Sequence, residues 1–412
     1  MSAHTEHAED VLQPTTFTTP GKVRALALGL MAVGGALFAY GLSTEAWRAW
    51  SAGLIAAYFF LSIALGASVI VAITHVTKAG WAVVLRRVPE AIMGYLPVAL
   101  ITMLAVCGAG MKSLYEWSHP DIVAEDHLLQ HKSVLLNPNG FLIRLVVIIG
   151  AWSVFTFFIR KRSVTQDTEG GVKLTERNLL FSVIYIIFMG LTLTLGALDW
   201  LMSLEPHWFS TMFGVYQFAG AHAAGMSAIL LFTVALMKSG VLPHVNENHL
   251  HDLGKWMFGL ATFWAYIWIG QFLLIWYANI PEETGYFLIR QDGGWRALWI
   301  INLLINWTIP FFVLLPRPNK RNPKVLVPMA ILILCGHWLD VYLQVMPATS
   351  HFAMDQKWLA EADHGPFFGL TEIGATAALG GLFLWVVTIW LGRASLLPSK
   401  DPYLSESLHH HQ

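Results

Sequence analysis

Ten long apolar stretches constrain the fold of this 412-residue chain more than any other feature. A helix needs about 20 consecutive apolar residues to cross the hydrocarbon core of a bilayer. Stretches of roughly that length lie at about 23–42, 50–77, 89–112, 140–160, 178–203, 209–237, 254–279, 295–316, 325–346 and 367–392. Lipid offers the backbone no hydrogen-bond partners, so each stretch is expected to be helical. The sequence therefore predicts an all-α polytopic membrane protein with ten transmembrane helices.

The composition agrees with lipid as the solvent for most of the chain. Hydrophobic residues make up 56% of it and charged residues only 12%, against about 25% charged in a typical soluble domain. The net charge of −1 gives no reason to expect a nucleic-acid partner. The only cysteines, Cys107 and Cys335, lie in apolar stretches, and the sequence has no CxxC or CxxCH motif. This pattern argues against covalent haem c, iron–sulfur clusters and a disulfide framework in this chain.

The positions of the basic residues predict that both ends of the chain lie in the cytoplasm. With ten spans and the N-terminus inside, 18 of the 25 Lys and Arg residues fall on the inner side. This bias follows the positive-inside rule, and one missed span would remove it. The expected organisation is a ten-helix membrane domain over residues 23–393, with cytoplasmic tails over residues 1–22 and 394–412.

The longer connections between the predicted spans fall on the outer side. They cover about residues 113–139, 280–294 and 347–366, and they are rich in acidic, histidine and aromatic residues. Loops of this length are often binding surfaces. We therefore expect the outer side to be a docking surface for other proteins.

Spans five and nine share a pattern at their outer ends that predicts an internal repeat. In one, a Leu-Asp pair ending at Asp199 is followed by Pro206; in the other, a Leu-Asp pair ending at Asp340 is followed by Pro347. Because four spans separate the two patterns, they fit two parallel four-helix units flanked by spans one and ten, and such duplication is common in transporter-like folds. The predicted units cover about residues 50–203 and 209–346.

Ionisable side chains inside the spans are the strongest candidates for function. Each costs about 2.5–3.5 kcal/mol at the centre of a membrane helix, so such groups usually face the bundle interior and mark a pathway. Imidazoles can pass protons near neutral pH, and buried carboxyl groups can bind them. We interpret the group as a proton path from the outer face to the midplane. Its members are Asp199, His222, His337, Asp340 and Glu372.

Other interpretations of the same residues stay open. Each residue could simply tie helices together through hydrogen bonds. His222 and His337 lie at similar depth, and paired histidines on facing helices are a usual ligand set for haem b. A single pair of histidines does not define a haem site, so we expect neither haem b nor a metal ion in this chain.

Span seven carries aromatic residues and one amide near its outer end. An aromatic belt at the membrane boundary accounts for most of them. The alternative is an amphipathic wall of a quinone pocket. The residues of this candidate wall are Trp268, Gln271, Trp276 and Tyr277.

The same span carries a resemblance to a known family. The run from Tyr266 to Glu283, YIWIGQFLLIWYANIPEE, resembles a signature of the F subunit of alternative complex III, a bacterial quinol:cytochrome c oxidoreductase. The ten spans, the two four-helix units and the Leu-Asp…Pro segments resemble the broader NrfD/PsrC-like membrane-anchor family. The resemblance covers almost the whole chain except roughly the first 20 residues.

This resemblance implies a membrane subunit without its own redox centre in the bacterial inner membrane. Its implied partners are an NrfD-like sister subunit and periplasmic haem c and iron–sulfur subunits. It also implies a proton route in this chain and contact with menaquinone or ubiquinone in the complex.

Two rival functions remain open from the sequence. The chain could be a quinol-binding catalytic subunit, with Gln271, His337 and Asp340 near the quinol head group. It could instead be a stand-alone secondary transporter, as the repeat suggests, although the spans lack obvious Gly/Pro-interrupted pairs at the midplane.

Overall fold

The computed structural model describes residues 16–360 and 365–411, so most of the predicted N-terminal tail lies outside the described residues. The chain is 81% helical, and the described residues contain no strand. Ten helices are long and apolar enough to cross a membrane, which confirms the predicted fold class. Their bounds are Gly21–Thr44 (α1), Ala46–Val76 (α2), Arg87–Ala109 (α3), Pro138–Glu169 (α4), Lys173–Leu204 (α5), Phe213–Lys238 (α6), Glu247–Ala278 (α7), Trp295–Leu314 (α8), Pro323–Asp355 (α9) and Leu370–Leu391 (α10).

The ten helices alternate in direction, so the start of α1 and the end of α10 lie on one side of the bundle, which we call the terminal side. The opposite side is the loop side. There, Arg48 near the start of α2 pairs with Glu372 near the start of α10. The loop side also carries short helices within the long connections: Pro120–Glu125, His127–Lys132 and Pro281–Gln291.

Asparagine caps begin three of the long helices. Asn137 accepts a hydrogen bond from the Gly140 amide (2.8 Å) before α4, and Asn322 accepts one from the Lys324 amide (2.9 Å) before α9. Asn246 does the same for the His249 amide (3.3 Å) before α7. These side chains satisfy amides that have no partner within the first helical turn, which fixes where each helix starts.

Helices α2 and α6 form the centre of the bundle. The most apolar part of α2 is entirely buried, and 78% of the corresponding part of α6 is buried. Gly66 of α2 lies so close to α6 that an added Cβ would be 1.9 Å from the Ala221 carbonyl oxygen. An added Cβ on Gly225 of α6 would be 2.6 Å from the Ala67 amide nitrogen. Small residues at this crossing let the two backbones meet, as is usual between membrane helices.

The remaining helices group around this central pair. Helices α2, α3, α4 and α5 contact one another in a ring, and α6, α7, α8 and α9 form a second ring. Helices α1 and α10 pack along each other and against α2. Two glycines permit their close approach, since an added Cβ on Gly34 would be 2.4 Å from the Ala378 amide and one on Gly381 would be 2.5 Å from the Ala27 carbonyl oxygen.

Helix α9 is longer than the apolar stretch predicts and continues through Pro347 to Asp355. A proline inside a helix has no N–H for the carbonyl four residues earlier, which here belongs to Leu343. The guanidinium of Arg290 donates to that carbonyl at 2.7 Å. This side chain, from the connection between α7 and α8, replaces the missing helical hydrogen bond and lets the helix pass the proline. Residues 347–355 of the outer connection predicted at 347–366 are therefore helix.

The predicted C-terminal tail is packed against the terminal side, as far as residue 411. The Asp401 carboxylate pairs with Arg86, and both side chains are buried. Ser407 donates to the Trp81 carbonyl (2.7 Å), and His410 lies 2.7 Å from the Asp252 carboxylate. Hydropathy alone gave no sign of this packing, because each partner is a polar group far away in the sequence.

Candidate functional site

Asp340, in the middle of α9, is the centre of a polar network inside the bundle. Its carboxylate is buried and accepts hydrogen bonds from four uncharged side chains. The donors are the Tyr216 hydroxyl, Asn302 Nδ2 (2.8 Å), Trp264 Nε1 (3.2 Å) and Gln344 Nε2 (3.3 Å). None of the ion pairs found among the described residues includes Asp340. A carboxyl group in this setting is held by dipoles instead of a counter-charge.

Amide side chains extend the network across the centre of the bundle. Gln344 accepts from Gln217 Nε2 of α6 at 2.6 Å, and Gln217 accepts from the Tyr58 hydroxyl of α2 at 3.1 Å. On the other side of Asp340, Asn306 donates to Asn302 Oδ1 at 2.7 Å. Together with Trp264 of α7, the network therefore joins α2, α6, α7, α8 and α9, and it crosses between the two rings of helices.

A small cavity of about 20 Å³ opens beside Asp340. Gln271, Trp268 and Arg290 line it together with Asp340. A site needs about 10–15 Å³ of such volume and a few polar partners to hold one water molecule, and this cavity offers both. It is far smaller than the ligand pockets of about 300–1,000 Å³ that hold drug-sized molecules.

The four residues proposed for a quinone-pocket wall do not line a common pocket. Trp268 and Gln271 are buried and line the small cavity, where Gln271 Nε2 donates to Ser210 Oγ at 2.9 Å. Trp276 and Tyr277 are 64% and 87% exposed on the outside of the bundle, and they do not line this cavity. Both lie near the loop-side end of α7, where an aromatic belt would be expected.

Arg290 connects the cavity to the loop side. Its guanidinium pairs with Glu205 at 2.6 Å and lies 3.4 Å from the ring centre of Tyr286. Burial lowers the pKa of Arg290 and the Glu205 carboxylate raises it, with a net rise above the ordinary arginine value. Glu205 is only partly buried, with a side-chain exposure of 18%. A charged pair therefore lies between the cavity and solvent on the loop side.

Asp199 and Glu372 each have a cationic partner. Arg144 of α4 donates to both oxygens of Asp199, at 2.6 and 3.0 Å. Arg48 donates to both oxygens of Glu372, at 2.7 and 2.9 Å. Glu372 also accepts from the Gly369 amide and caps α10. Among the described residues neither pair shares a hydrogen bond with the Asp340 network, so the structure does not bring all five predicted path residues together.

His222 of α6 and His337 of α9 are both buried, but neither belongs to the Asp340 network. His337 Nε2 is 2.7 Å from Ser62 Oγ, and His222 Nδ1 is 2.6 Å from the Phe218 carbonyl. An added Cβ on Gly220, two residues before His222, would be 3.0 Å from the His337 ring. The other ring nitrogen of each histidine is buried and has no hydrogen-bond partner among the described residues.

Asp340 was predicted from the sequence, whereas the residues that hold it were not. The missed donors and their neighbours are Tyr216, Gln217, Trp264, Asn302, Asn306 and Gln344. Four of them are amides inside apolar spans, and an uncharged amide in a membrane helix is itself a signal of interhelical hydrogen bonding. Arg290 and Glu205 lie in connections, where a charged residue carries no such signal.

Comparison with known proteins gives little further guidance. No family model matches the chain. A stretch of 195 residues is 22% identical to a protein of Nitratidesulfovibrio vulgaris strain Hildenborough that is described only as "Protein". The match covers 47% of this chain and 47% of the relative, so the chain spans about half the length of the relative that it matches.

Proposed function

We propose that this chain is an integral membrane subunit of a respiratory quinol:cytochrome c oxidoreductase, where it supports the complex and forms a proton half-channel centred on Asp340. The observation that carries the proposal is a buried carboxylate held by four uncharged donors beside a water-sized cavity. The resemblance of the span-seven run to the F subunit of alternative complex III supports the assignment to a complex.

The chemistry of Asp340 suits reversible proton binding. An ionised carboxylate in a low-dielectric interior is costly, and this favours protonation. Hydrogen bonds from Tyr216, Asn302 and Trp264 stabilise the ionised form, which opposes that cost. Because no cation is fixed beside Asp340 among the described residues, neither the protonated nor the ionised form of its carboxyl group is held exclusively. A water in the adjoining cavity would connect Asp340 to Arg290 and Glu205 on the loop side.

The five path residues take different roles in this proposal. Asp340 binds the proton. His337 precedes it by three residues in α9, and His222 lies in α6, the helix that supplies Tyr216 to the network. Asp199 and Glu372 are tied to Arg144 and Arg48, so we assign them to holding helices together.

The orientation and partners follow from the sequence in this proposal. The terminal side would face the cytoplasm of a bacterium, as the bias of basic residues indicates. The loop side would then carry the periplasmic haem c and iron–sulfur subunits, and a sister NrfD-like subunit would lie beside the bundle. Electrons would pass through those partners, and menaquinone or ubiquinone would meet this chain only at its surface in the complex.

The decisive experiment compares two neutralised acids in the whole complex reconstituted into vesicles. Asp340→Asn should reduce proton translocation to background while quinol oxidation continues. Asp199→Asn, at the matching position of the other helical ring, should leave translocation per quinol unchanged. Normal translocation in Asp340→Asn, or the same loss in both variants, would refute the half-channel.

A second candidate function is quinol binding by this chain itself. An apolar cavity of about 600 Å³ lies between α1, α2, α9 and α10, and its lining includes Phe59, Trp338 and Glu372. This volume falls within the usual range for ligand pockets. A photoreactive quinone should label peptides containing Phe59 or Trp338 if the chain binds quinol; labelling confined to the sister subunit would exclude this candidate.

A further inference from the structure

A second cavity lies on the terminal side, between α3, α4 and α10, apart from the Asp340 network. Its volume is about 240 Å³, far above the roughly 10–15 Å³ that is enough to hold one water molecule. Most of its wall is apolar, including Pro97 and Phe157. Its charged residues are Glu90, Arg160 and Lys161. An apolar wall with a few charged groups suits an amphiphilic ligand.

Two buried polar atoms of this cavity's lining have no hydrogen-bond partner among the described residues: Glu90 Oε1 and Arg160 Nε. Glu90 is completely buried, and its other oxygen accepts from Arg87 at 2.6 Å. Arg160 donates through Nη2 to the Trp390 carbonyl at 2.8 Å, and its guanidinium lies 4.4 Å from the Trp390 ring centre. Burying polar atoms without partners is costly, so these atoms point to a ligand that offers one acceptor and one donor.

The charges of the cavity favour an anionic group. Arg160 and Lys161 supply two positive charges, whereas the single negative charge of Glu90 is already paired with Arg87. The depth is also informative. Arg160 follows Pro138, the first residue of α4, by 22 positions, or about 33 Å at 1.5 Å per residue. That distance reaches the far boundary of a hydrocarbon core about 30 Å thick, where lipid phosphates lie.

We propose that this cavity binds one anionic phospholipid of the terminal-side leaflet, with a hydroxyl-bearing head group such as phosphatidylglycerol. Arg160 and Lys161 bind the phosphate, as basic pockets between membrane helices do. A head-group hydroxyl donates to Glu90 Oε1, and an acyl chain lies along Pro97 and Phe157. The site does not depend on the proton path, because none of its residues belongs to the Asp340 network.

Native mass spectrometry of the purified full chain tests this site. The probe is an equimolar mixture of phosphatidylglycerol and phosphatidylethanolamine with matched acyl chains. The phosphatidylglycerol adduct should dominate. Arg160→Gln should weaken it by about tenfold or more, the usual effect of losing a charge-assisted hydrogen bond. Lys324→Gln, on the same side but outside the cavity, is the control and should leave the adduct unchanged.

Lys161→Gln separates binding from folding. Arg160 contacts Trp390, so its replacement could disturb α10, whereas Lys161 is exposed on the surface of α4. Lys161→Gln should weaken the phosphatidylglycerol adduct several-fold with an unchanged thermal unfolding midpoint. Equal binding of the two lipids by the native chain, or an undiminished adduct in both variants, would overturn the proposal.

Discussion

Asn302 donates a 2.8 Å hydrogen bond to Asp340 at the place where the other ring of helices has an arginine. In that ring, Arg144 donates to Asp199 at 2.6 Å. Both donors lie about two turns into the helix that precedes the acid, and both acids belong to the Leu-Asp…Pro repeat. The same scaffold thus neutralises one acid with a cation and leaves the other with uncharged donors. This difference is the reason that the proposed function assigns proton binding to Asp340 and a structural role to Asp199.

The Arg144–Asp199 pair should behave as a structural ion pair. Arg144→Met alone leaves the buried Asp199 carboxylate without its partner, which typically costs about 3–5 kcal/mol. Asp199→Leu leaves Arg144, whose side chain is 24% exposed, and should cost less. The double variant replaces both charges with apolar groups and should recover most of that loss. Unfolding of the three variants in detergent would measure the coupling. Simply additive losses would contradict this assignment.

Arg290 and Pro347 should be energetically coupled through the Leu343 carbonyl. Arg290→Gln removes the donor to that carbonyl, and leaving it unsatisfied should cost about 1–3 kcal/mol. In a Pro347→Ala background, the substituted alanine would provide the missing backbone N–H, so the same Arg290→Gln change should cost less. Chemical unfolding of the two single variants and the double variant gives the coupling energy.

The control for this cycle is Glu205→Gln, which removes the ion pair of Arg290 but no donor to α9. Its cost should be the same with proline or alanine at position 347. If the cost of Arg290→Gln is also independent of position 347, the guanidinium does not replace the helical hydrogen bond.

The crossing of α2 and α6 should tolerate no added methyl group. In Gly66→Ala the new Cβ would lie 1.9 Å from the Ala221 carbonyl oxygen, so the two helices would have to separate. We expect the free energy of unfolding to fall by about 1–3 kcal/mol or more, as is typical of overpacked cores. The Tyr58–Gln217 hydrogen bond should also be disrupted. Thermal unfolding in detergent provides the measurement. Gly150→Ala is the matched control, since nothing lies within 4 Å of an added Cβ there.

Acid should loosen the connection between α3 and α4 at Asp126. This carboxylate caps the short helix His127–Lys132, and its pKa lies below the ordinary value chiefly because the Leu129 amide donates to it, with further lowering by His207. A carboxyl group whose pKa is lower in the folded state stabilises the fold above its unfolded pKa of about 3.9. That contribution is lost as the pH falls through the folded pKa.

Hydrogen exchange of the Leu128 and Leu129 amides measures this effect. Their protection factors should be constant above about pH 5 and fall below about pH 3.9. Asp126→Asn keeps a good helix cap without a titrating group, so it should abolish the pH dependence while keeping much of the protection. Protection that declines equally in this variant would assign the acid sensitivity to another group.

The neighbouring residues His337 and Asp340 show how far spacing along a helix can predict a site. Three residues rotate the side chain by about 300°, so the two lie about 60° apart around α9. On an exposed helix surface that would count as one face. In the bundle, it directs Asp340 toward α6 and α8 and His337 toward Ser62 of α2. The sequence placed both residues within one span, and the packing of the neighbouring helices gives them different partners.

The partners of the other acids show what a pattern along the chain cannot provide. Arg48 and Glu372 are 324 residues apart, and Arg144 and Asp199 are 55 apart. The sequence indicated that each acid would need a polar or charged partner inside a membrane, because an isolated charge there is costly. It could not indicate which acid receives an arginine, since that depends on which helices pack together.

The sequence by itself determined that this chain is a ten-helix membrane protein, because hydropathy and backbone satisfaction are local properties of each apolar stretch. Only the tertiary structure decided that Asp340 meets four uncharged donors, that Arg290 lets α9 pass Pro347, and that the C-terminal segment packs on the terminal side. These features join residues from different helices and connections. Their geometry follows from how the helices pack, and in lipid that packing is governed by close contacts between small residues and buried polar groups, with little guidance from hydropathy.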